Sequence, residues 1–304
     1  METTIPEFLV EMLTKQYDEE LTKEIIEGYS KKRVTTIREN TLKAAIENII
    51  KKLEEEQIEV EDTPWSKDAF IIKNASEKEI EKLEMYENGE IYMQSLSSML
   101  PPIILEPKEG SDILDMAAAP GGKTTQIAAL TNNKANITAC EMNKIRMERL
   151  KYNLQKQGAK SVYAMEVDSR NLDDFFSFDQ ILLDAPCSGS GTLNIESSNL
   201  EKIFTKKLVD KSVKAQTTLL RKALRLLKPG KEMVYSTCSI LACENEEIVI
   251  KCLKEAKAEI VPITFEGIEQ LPLLPAKIDG TIVVKPTEYY EGFFVAKIRK
   301  KERN

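Results

Sequence analysis

Two cysteines stand where a thiol can do chemistry. Cys187 closes the run Ile181-Leu182-Leu183-Asp184-Ala185-Pro186-Cys187, and Cys238 closes Met233-Val234-Tyr235-Ser236-Thr237-Cys238. Each comes after a short apolar run of strand character, and each precedes small residues, Ser188-Gly189 and Ser239. Strands of an open α/β sheet deliver their carboxyl ends into the ligand crevice, so both thiols are expected to face one pocket. A structural cysteine sits more often inside an element than at its mouth. The chain has no histidine, which leaves proton transfer to carboxylates, lysines, tyrosines, thiols or water. Covalent chemistry by cysteine is the first expectation. A pair of inert core thiols is its alternative.

The elements that must position these residues alternate in type. Ile113 to Met116 reads as a strand and Gly122 to Leu130 as the helix behind it; Asn136 to Cys140 is a second strand, succeeded by a helix from Asn143 to Gln157. Strands at Val162–Val167 and Gln180–Leu183 come next, then a long helix to Leu227. Lys228-Pro229-Gly230 is predicted to turn into the strand Glu232–Tyr235, with a helix over Glu244–Lys254 and a last strand over Gly292–Ile298. Such alternation predicts an α/β fold with a doubly wound, mostly parallel sheet. Residues 1–90 read as a separate small α+β domain, with a strand at Val34–Arg38, an amphipathic helix over Leu42–Leu53 and a Ser76/Glu79 capping box. The catalytic domain is then 91–304. Tyr163, Phe175, Phe176 and Phe178 are expected to pack inside and not to stack on bases, and Cys140, Cys243 and Cys252 to be core or helix-face residues.

Asp115-Met116-Ala117-Ala118-Ala119-Pro120-Gly121-Gly122-Lys123-Thr124-Thr125 joins the first strand to its helix with small residues. Small side chains let a ligand approach the backbone, and the helix start offers free N–H groups. Gly122-Lys123-Thr124 imitates the end of a phosphate-binding loop, but Ala117 stands where that loop needs its first glycine. Glu141, at the end of the second strand, is placed to accept hydrogen bonds from ribose hydroxyls, and Asp168, after the third, to read an adenine amino group. With Asp115 and Asp184 they form an ordered set of carboxylates at successive strand ends, which describes a nucleoside cofactor lying across the sheet edge. A dinucleotide dehydrogenase would need G-x-G-x-x-G, which is missing.

A chain of 304 residues with 42% apolar content can bury a full core. Five unevenly spaced cysteines and no long apolar run argue for a cytoplasmic protein with reduced thiols and no membrane span. No metal is expected, since Cys238 and Cys243 are the only close cysteine pair and no histidine completes a ligand set. A net charge of −7 argues against nucleic acid, yet ten basic residues fall between Glu201 and Lys231 against two acids. A solvated helix face and a phosphate footprint both fit that stretch.

These motifs resemble the Nol/Nop/Sun family of RNA cytosine-5 methyltransferases. The resemblance rests on Ala117 to Thr124, on Asp184-Ala185-Pro186-Cys187-Ser188-Gly189, and on Tyr235-Ser236-Thr237-Cys238-Ser239 with Glu244-Asn245-Glu246 behind it. Gly292-Phe293-Phe294-Val295-Ala296 is similar to the family's closing strand, and Gln94 to Leu100 to the segment leading into its catalytic domain. Arg38-Glu39-Asn40-Thr41-Leu42-Lys43 is similar to the family's Arg-Val-Asn-Thr-Leu-Lys, with Glu39 in an apolar place. The resemblance implies a seven-stranded, Rossmann-like class I methyltransferase sheet, S-adenosylmethionine (SAM) as cofactor and a structured rRNA or tRNA as partner of a monomeric enzyme. It implies Cys238 as nucleophile, Cys187 as the group for release and general base, and Asp184 and Lys123 as catalytic, Lys123 by favouring the Cys238 thiolate. It implies cofactor contacts from Ala117, Ala118, Ala119, Pro120, Gly121, Gly122, Lys123, Glu141, Arg146, Asp168 and Asp184. The rival from another class is a ribosome-assembly factor with a vestigial methyltransferase fold.

Overall fold

In the computed structural model, which describes residues 5–195 and 200–302, the small N-terminal sheet and the large catalytic sheet are joined by a helix that the sequence pattern hides. The first helix is α1 (Glu7–Ser30). Four strands come after it, β1 (Thr36–Glu39), β2 (Val60–Thr63), β3 (Ser66–Ile72) and β4 (Ile91–Met93), forming an antiparallel sheet in the order β2-β3-β1-β4. Helix α2 (Ile46–Glu55) buries Ile49 and Leu53 in a cluster with Ile37, Phe70, Ile72 and Ile91. It starts later than the expected Leu42, because Asn40 Oδ1 accepts from the Leu42 N–H (3.2 Å) and holds residues 41–43 in a turn. The capping box of Ser76 and Glu79 is present, but it opens only the single turn α3 (Glu77–Ile80), with α4 (Glu84–Glu87) after it.

Helix α1 packs away from that sheet. Its Leu9, Leu13, Tyr17, Ile25 and Tyr29 lie in one core cluster with Leu114, Leu183, Tyr235, Ile240 and Leu241. Tyr17 Oη and Tyr29 Oη donate to the carbonyls of Ile240 and Ser190, each at 2.6 Å. The small sheet meanwhile takes its fourth strand from residues 91–93, past the expected boundary at residue 90. The bridge between the two sheets is α5 (Leu96–Leu105), which carries Pro101 and Pro102 internally. Pro102 has no N–H for the carbonyl of Ser98. Gln94 Nε2 donates to that carbonyl instead, at 3.0 Å.

Five parallel strands form the body of the large sheet: β5 (Asp112–Asp115), β6 (Asn136–Glu141), β7 (Val162–Glu166), β8 (Phe178–Asp184) and β9 (Leu227–Thr237). Their apolar residues point into cores on both faces, as buried parallel strands require. They are connected by α6 (Gly122–Leu130), α7 (Lys144–Gln157), α8 (Leu200–Ile203) and α9 (Lys206–Leu226). After α10 (Glu246–Ala256) come β10 (Ala258–Val261), β11 (Leu273–Leu274), β12 (Ile282–Val284) and β13 (Phe293–Lys300). The order is β11-β12-β13-β9-β8-β5-β6-β7, with β10 also on β13. The doubly wound, mostly parallel architecture agrees with expectation. Among the described residues the sheet has nine strands where the resemblance implies seven, and its β11 and β12, two and three residues long, are too short to leave a periodic signal.

Two further expectations fail. Lys228-Pro229-Gly230 does not precede β9 but lies within it, as a bulge between the pairs Phe178–Leu227 and Gln180–Glu232. Of the four aromatic residues expected inside, only Phe178 is buried; Tyr163, Phe175 and Phe176 are exposed. Tyr163 faces outward because β7 is the sheet's edge strand.

The packing of α1 has a measurable consequence. Leu13→Ala is expected to destabilise the whole protein by about 2–5 kcal/mol, as for a buried leucine in a core. Ile145→Ala on α7, where the side chain is 70% exposed, should stay within about 0.5 kcal/mol. Denaturant unfolding of the two variants compares them, and a small loss for Leu13→Ala would detach α1 from the core.

Candidate active site

The two thiols meet because their strands are parallel neighbours. Strands β8 and β9 pair Asp184 with Ser236, and the Ala185 N–H donates to the Ser236 carbonyl at 2.8 Å. Two more residues along β9 and three along β8, Cys238 and Cys187 place their sulfurs 3.0 Å apart, both reduced. The Cys187 thiol is held well above the ordinary cysteine value, first by its hydrogen bond to Cys238, then by burial and by the charges of Cys238 and Glu244.

Asp184 and Lys123 stand beside them as a pair. Lys123 Nζ lies 2.7 Å from Asp184 Oδ2 and donates to Ser98 Oγ at 2.7 Å, with the Phe293 ring 5.5 Å away. Ser236 Oγ donates to Asp184 Oδ1 at 2.7 Å. The ammonium is therefore committed to Asp184 and Ser98, and the expected action of Lys123 on Cys238 has no contact behind it.

A cavity of 530 Å³, within the usual size for a cofactor pocket, opens in front of Lys123, Asp184 and Cys238; Cys187 is not on its wall, so of the two thiols expected to face one pocket only Cys238 does, with Cys187 behind it. Its wall includes Asp115, Ala117, Ala118, Ala119, Pro120, Gly122, Lys123, Asp184 and Cys238. Gly121 caps α6 at φ +113°, a conformation that favours glycine, and a Cβ on Gly122 would come within 3.1 Å of the Tyr92 ring. The Ala119–Pro120 peptide is cis. Asp115 is buried beneath the loop, accepting from Thr124 Oγ1 at 2.7 Å, and burial pushes its carboxyl up to about 6. Small residues, a helix start and a flanking carboxylate suit a nucleoside cofactor with a charged tail.

Glu141, Arg146 and Asp168 are not on the cavity wall. Glu141 is buried at the end of β6, accepts from the Asn143 N–H (2.8 Å) and faces Arg146 Nε at 3.6 Å. Arg146 also donates to the Ala119 carbonyl at 2.6 Å, so it braces the loop from behind. Asp168 accepts the Arg170 N–H and is gripped by the Arg170 guanidinium at 2.5 Å, which lowers its carboxyl below the usual range. Sequence reasoning missed Ser98, Tyr289, Glu291 and Arg33, which also line the cavity. Only the segment Gln94 to Leu100 hinted at Ser98.

The basic stretch divides in two. Arg221 pairs with Glu255, Lys222 and Arg225 with Asp174, and Lys228 and Lys231 with Asp179. Lys206, Lys207, Lys211 and Lys214, at the start of α9, are exposed and have no ion-pair partner among the described residues. No described helix is long and apolar enough to cross a membrane.

A family model described as 16S rRNA methyltransferase RsmB/F matches residues 102–299, and one for the ferredoxin-like domain of RsmF/B-like methyltransferases matches residues 5–78. The chain is similar to Ribosomal RNA small subunit methyltransferase F of Vibrio atlanticus, 36% identical over 274 residues, which is 87% of this chain and 57% of that protein. It is 32% identical over 309 residues to the Probable ribosomal RNA small subunit methyltransferase B of Bacillus subtilis, covering 99% of this chain and 67% of the other. A methyltransferase homolog protein from Pyrococcus horikoshii has a solved structure that matches with a TM-score of 0.82 at 32% identity, over 97% of this chain and 100% of that one. The chain thus spans little more than half of the Vibrio relative.

The buried Asp115 gives the site a pH signature. Its folded value of about 6 lies above the ordinary 3.8, so the folded state holds this proton more tightly than the unfolded chain. Stability from this group is full below about pH 4 and is lost as pH rises through about 6, by on the order of 2–3 kcal/mol. Unfolding free energies of the wild type minus those of Asp115→Asn should therefore fall between pH 4 and 6 and level off above 7. A flat difference would mean that Asp115 is not desolvated.

Proposed function

Because this chain belongs to the RsmB/F family of 16S rRNA methyltransferases, we propose that it methylates carbon 5 of a cytosine in small-subunit ribosomal RNA, in the cytoplasm, through a covalent bond from Cys238 to carbon 6. The resemblance read from the two cysteine motifs is borne out at the level of the family. The observation that carries the finer reading is the 3.0 Å approach of Cys187 and Cys238 at adjacent strand mouths, with Cys238 on the wall of the cavity that the glycine loop also lines.

Carbon 5 of cytosine is a poor nucleophile. Thiolate addition at carbon 6 turns the ring into an enamine whose carbon 5 can accept an electrophilic methyl, and SAM supplies that methyl when bound. Ala117 to Gly122 and Lys123 would hold it, with Asp115 below the loop; Arg146, paired with Glu141, would keep the loop in place. Asp184 would hydrogen-bond the base and favour protonation of ring nitrogen 3 as charge develops. Lys123 and Ser236 hold Asp184 from two sides, which fixes it for that contact. The target base must leave its stack, at a cost of a few kcal/mol that is lowest in an unpaired region.

Release is where Cys187 acts. In the free enzyme, a hydrogen bond and charge from Cys238 help to keep Cys187 protonated. Both vanish once the Cys238 sulfur is engaged in its bond to carbon 6. Cys187 then gives its proton to water and, as the thiolate, takes the carbon 5 proton while the bond from carbon 6 to Cys238 breaks, which restores a Cys187 thiol beside a Cys238 thiolate in a site without histidine.

The unequal roles give the test. Cys238→Ala should abolish methyl transfer and all covalent attachment to RNA. Cys187→Ala should still attack and methylate but stall, leaving a protein–RNA adduct that survives denaturing electrophoresis. An adduct with Cys238→Ala, or with neither variant, overturns the assignment. Reversing Lys206, Lys207 and Lys211 to Glu should weaken RNA binding and flatten its salt dependence while SAM affinity holds. An unaltered salt slope returns α9 to a solvated face.

A further inference from the structure

A buried carboxylate outside the cavity ties the two cysteine loops together. Glu244 lies in the turn Ala242–Glu244 between β9 and α10 and is fully buried. Its Oε1 accepts from the Ser188 N–H at 2.7 Å and from Gln216 Nε2 at 3.4 Å. Its Oε2 accepts from Ser188 Oγ at 2.5 Å and Ser239 Oγ at 2.6 Å. Ser188 comes directly after Cys187, and Ser239 directly after Cys238. The same two loops are stitched again by the Ser190 and Ser239 hydroxyls at 2.7 Å and by the Gly191 N–H on the Cys238 carbonyl at 2.9 Å.

A carboxylate in a dry core is costly unless donors surround it, and an apolar clamp would hold two loops at lower cost. What an apolar clamp cannot do is fix direction. Of the four donors two belong to Ser188 and one to Ser239, so the carboxylate fixes the rotation of the loop that carries Cys187 against the loop of Cys238, and with it the aim of the Cys187 thiol. We propose that Glu244 is a positioning residue that aligns Cys187 on Cys238 and thereby sets the rate at which methylated RNA is released. Its negative charge is also among the causes that keep the Cys187 proton in place. The inference rests on the cytosine-5 reading of the site.

The test uses the full chain with unmethylated small-subunit ribosomal RNA transcribed in vitro. Glu244→Gln keeps the size and one acceptor but removes the charge and the second acceptor. SAM affinity and single-turnover methylation should stay close to wild type, while steady-state turnover falls about tenfold or more, the scale of a lost charged hydrogen bond. RNA adduct should accumulate on the folded fraction of the enzyme. A merely structural Glu244 would lower turnover in proportion to the folded fraction and trap no adduct, which overturns the proposal. Should Glu244→Gln not fold, the double change Ser188→Ala and Ser239→Ala removes the two hydroxyl donors to Glu244 Oε2 and is read in the same way. Cys187→Ala runs beside them. If it traps RNA while the Glu244 and serine variants release freely, only this inference fails; if it too traps nothing, the cytosine-5 reading fails with it.

Discussion

The register between β8 and β9 is the constraint on which everything else depends. Parallel strands side by side end at the same sheet edge, and the pair Asp184–Ser236 brings the loops beyond the two strands into one place. A slip of one residue would turn every side chain of a strand to the opposite face. It would separate Cys187 from Cys238 and Asp184 from Lys123 together. The bulge at Lys228-Pro229-Gly230 absorbs the length mismatch at the far end of β9, so the pairing near the cysteines stays regular.

Around that edge the polar groups form one connected system. Arg38 on β1, buried and held down to about 10 by desolvation, donates to Gln94 Oε1 and to Thr125 Oγ1 on α6. Gln94 reaches the Ser98 carbonyl, Ser98 Oγ takes a hydrogen bond from Lys123, and Lys123 meets Asp184. Asn40 donates to the carbonyls of Gly89 and Gln157, fastening the same sheet to the end of α7. The Arg38 and Asn40 of the N-terminal motif therefore act as joints between the two sheets. Buried polar groups cost stability unless satisfied, and here each one satisfies the next.

Much of this was legible in the sequence. Long amphipathic or apolar segments with punctuation at both ends gave α6, α7 and four of the five parallel strands to within a residue or two, while β9 starts at Leu227, five residues before the expected Glu232. The positions of Cys187, Cys238 and the Ala117–Gly122 loop came from those strand ends. Illegible were features fixed by partners distant in the chain. Helix α5 carries two prolines, and Gln94 supplies a bond that local pattern cannot reveal. Lys123, expected to act on Cys238, shows its partner only when β8 brings Asp184 to it. Glu244 reads as one more acid in Glu244-Asn245-Glu246 until four donors close on it. The Asp168 carboxylate, read as an adenine contact, has a nearer claimant in Arg170, two residues on.

Net charge misleads here for the same reason. The excess of acids that produces −7 lies in residues 1–90, and several of the acids beyond them are paired with cations at one end of α9. Asp174 and Asp179 pair with Lys222, Arg225, Lys228 and Lys231, while the lysines from Lys206 to Lys214 have no such partner among the described residues. Screening confines an exposed charge to about 10 Å at ordinary ionic strength. A phosphate backbone would therefore sense the local lysines on the first turns of α9 and not the average of the molecule. An acidic protein can hold RNA as long as its acids are answered within the protein and a few lysines are not.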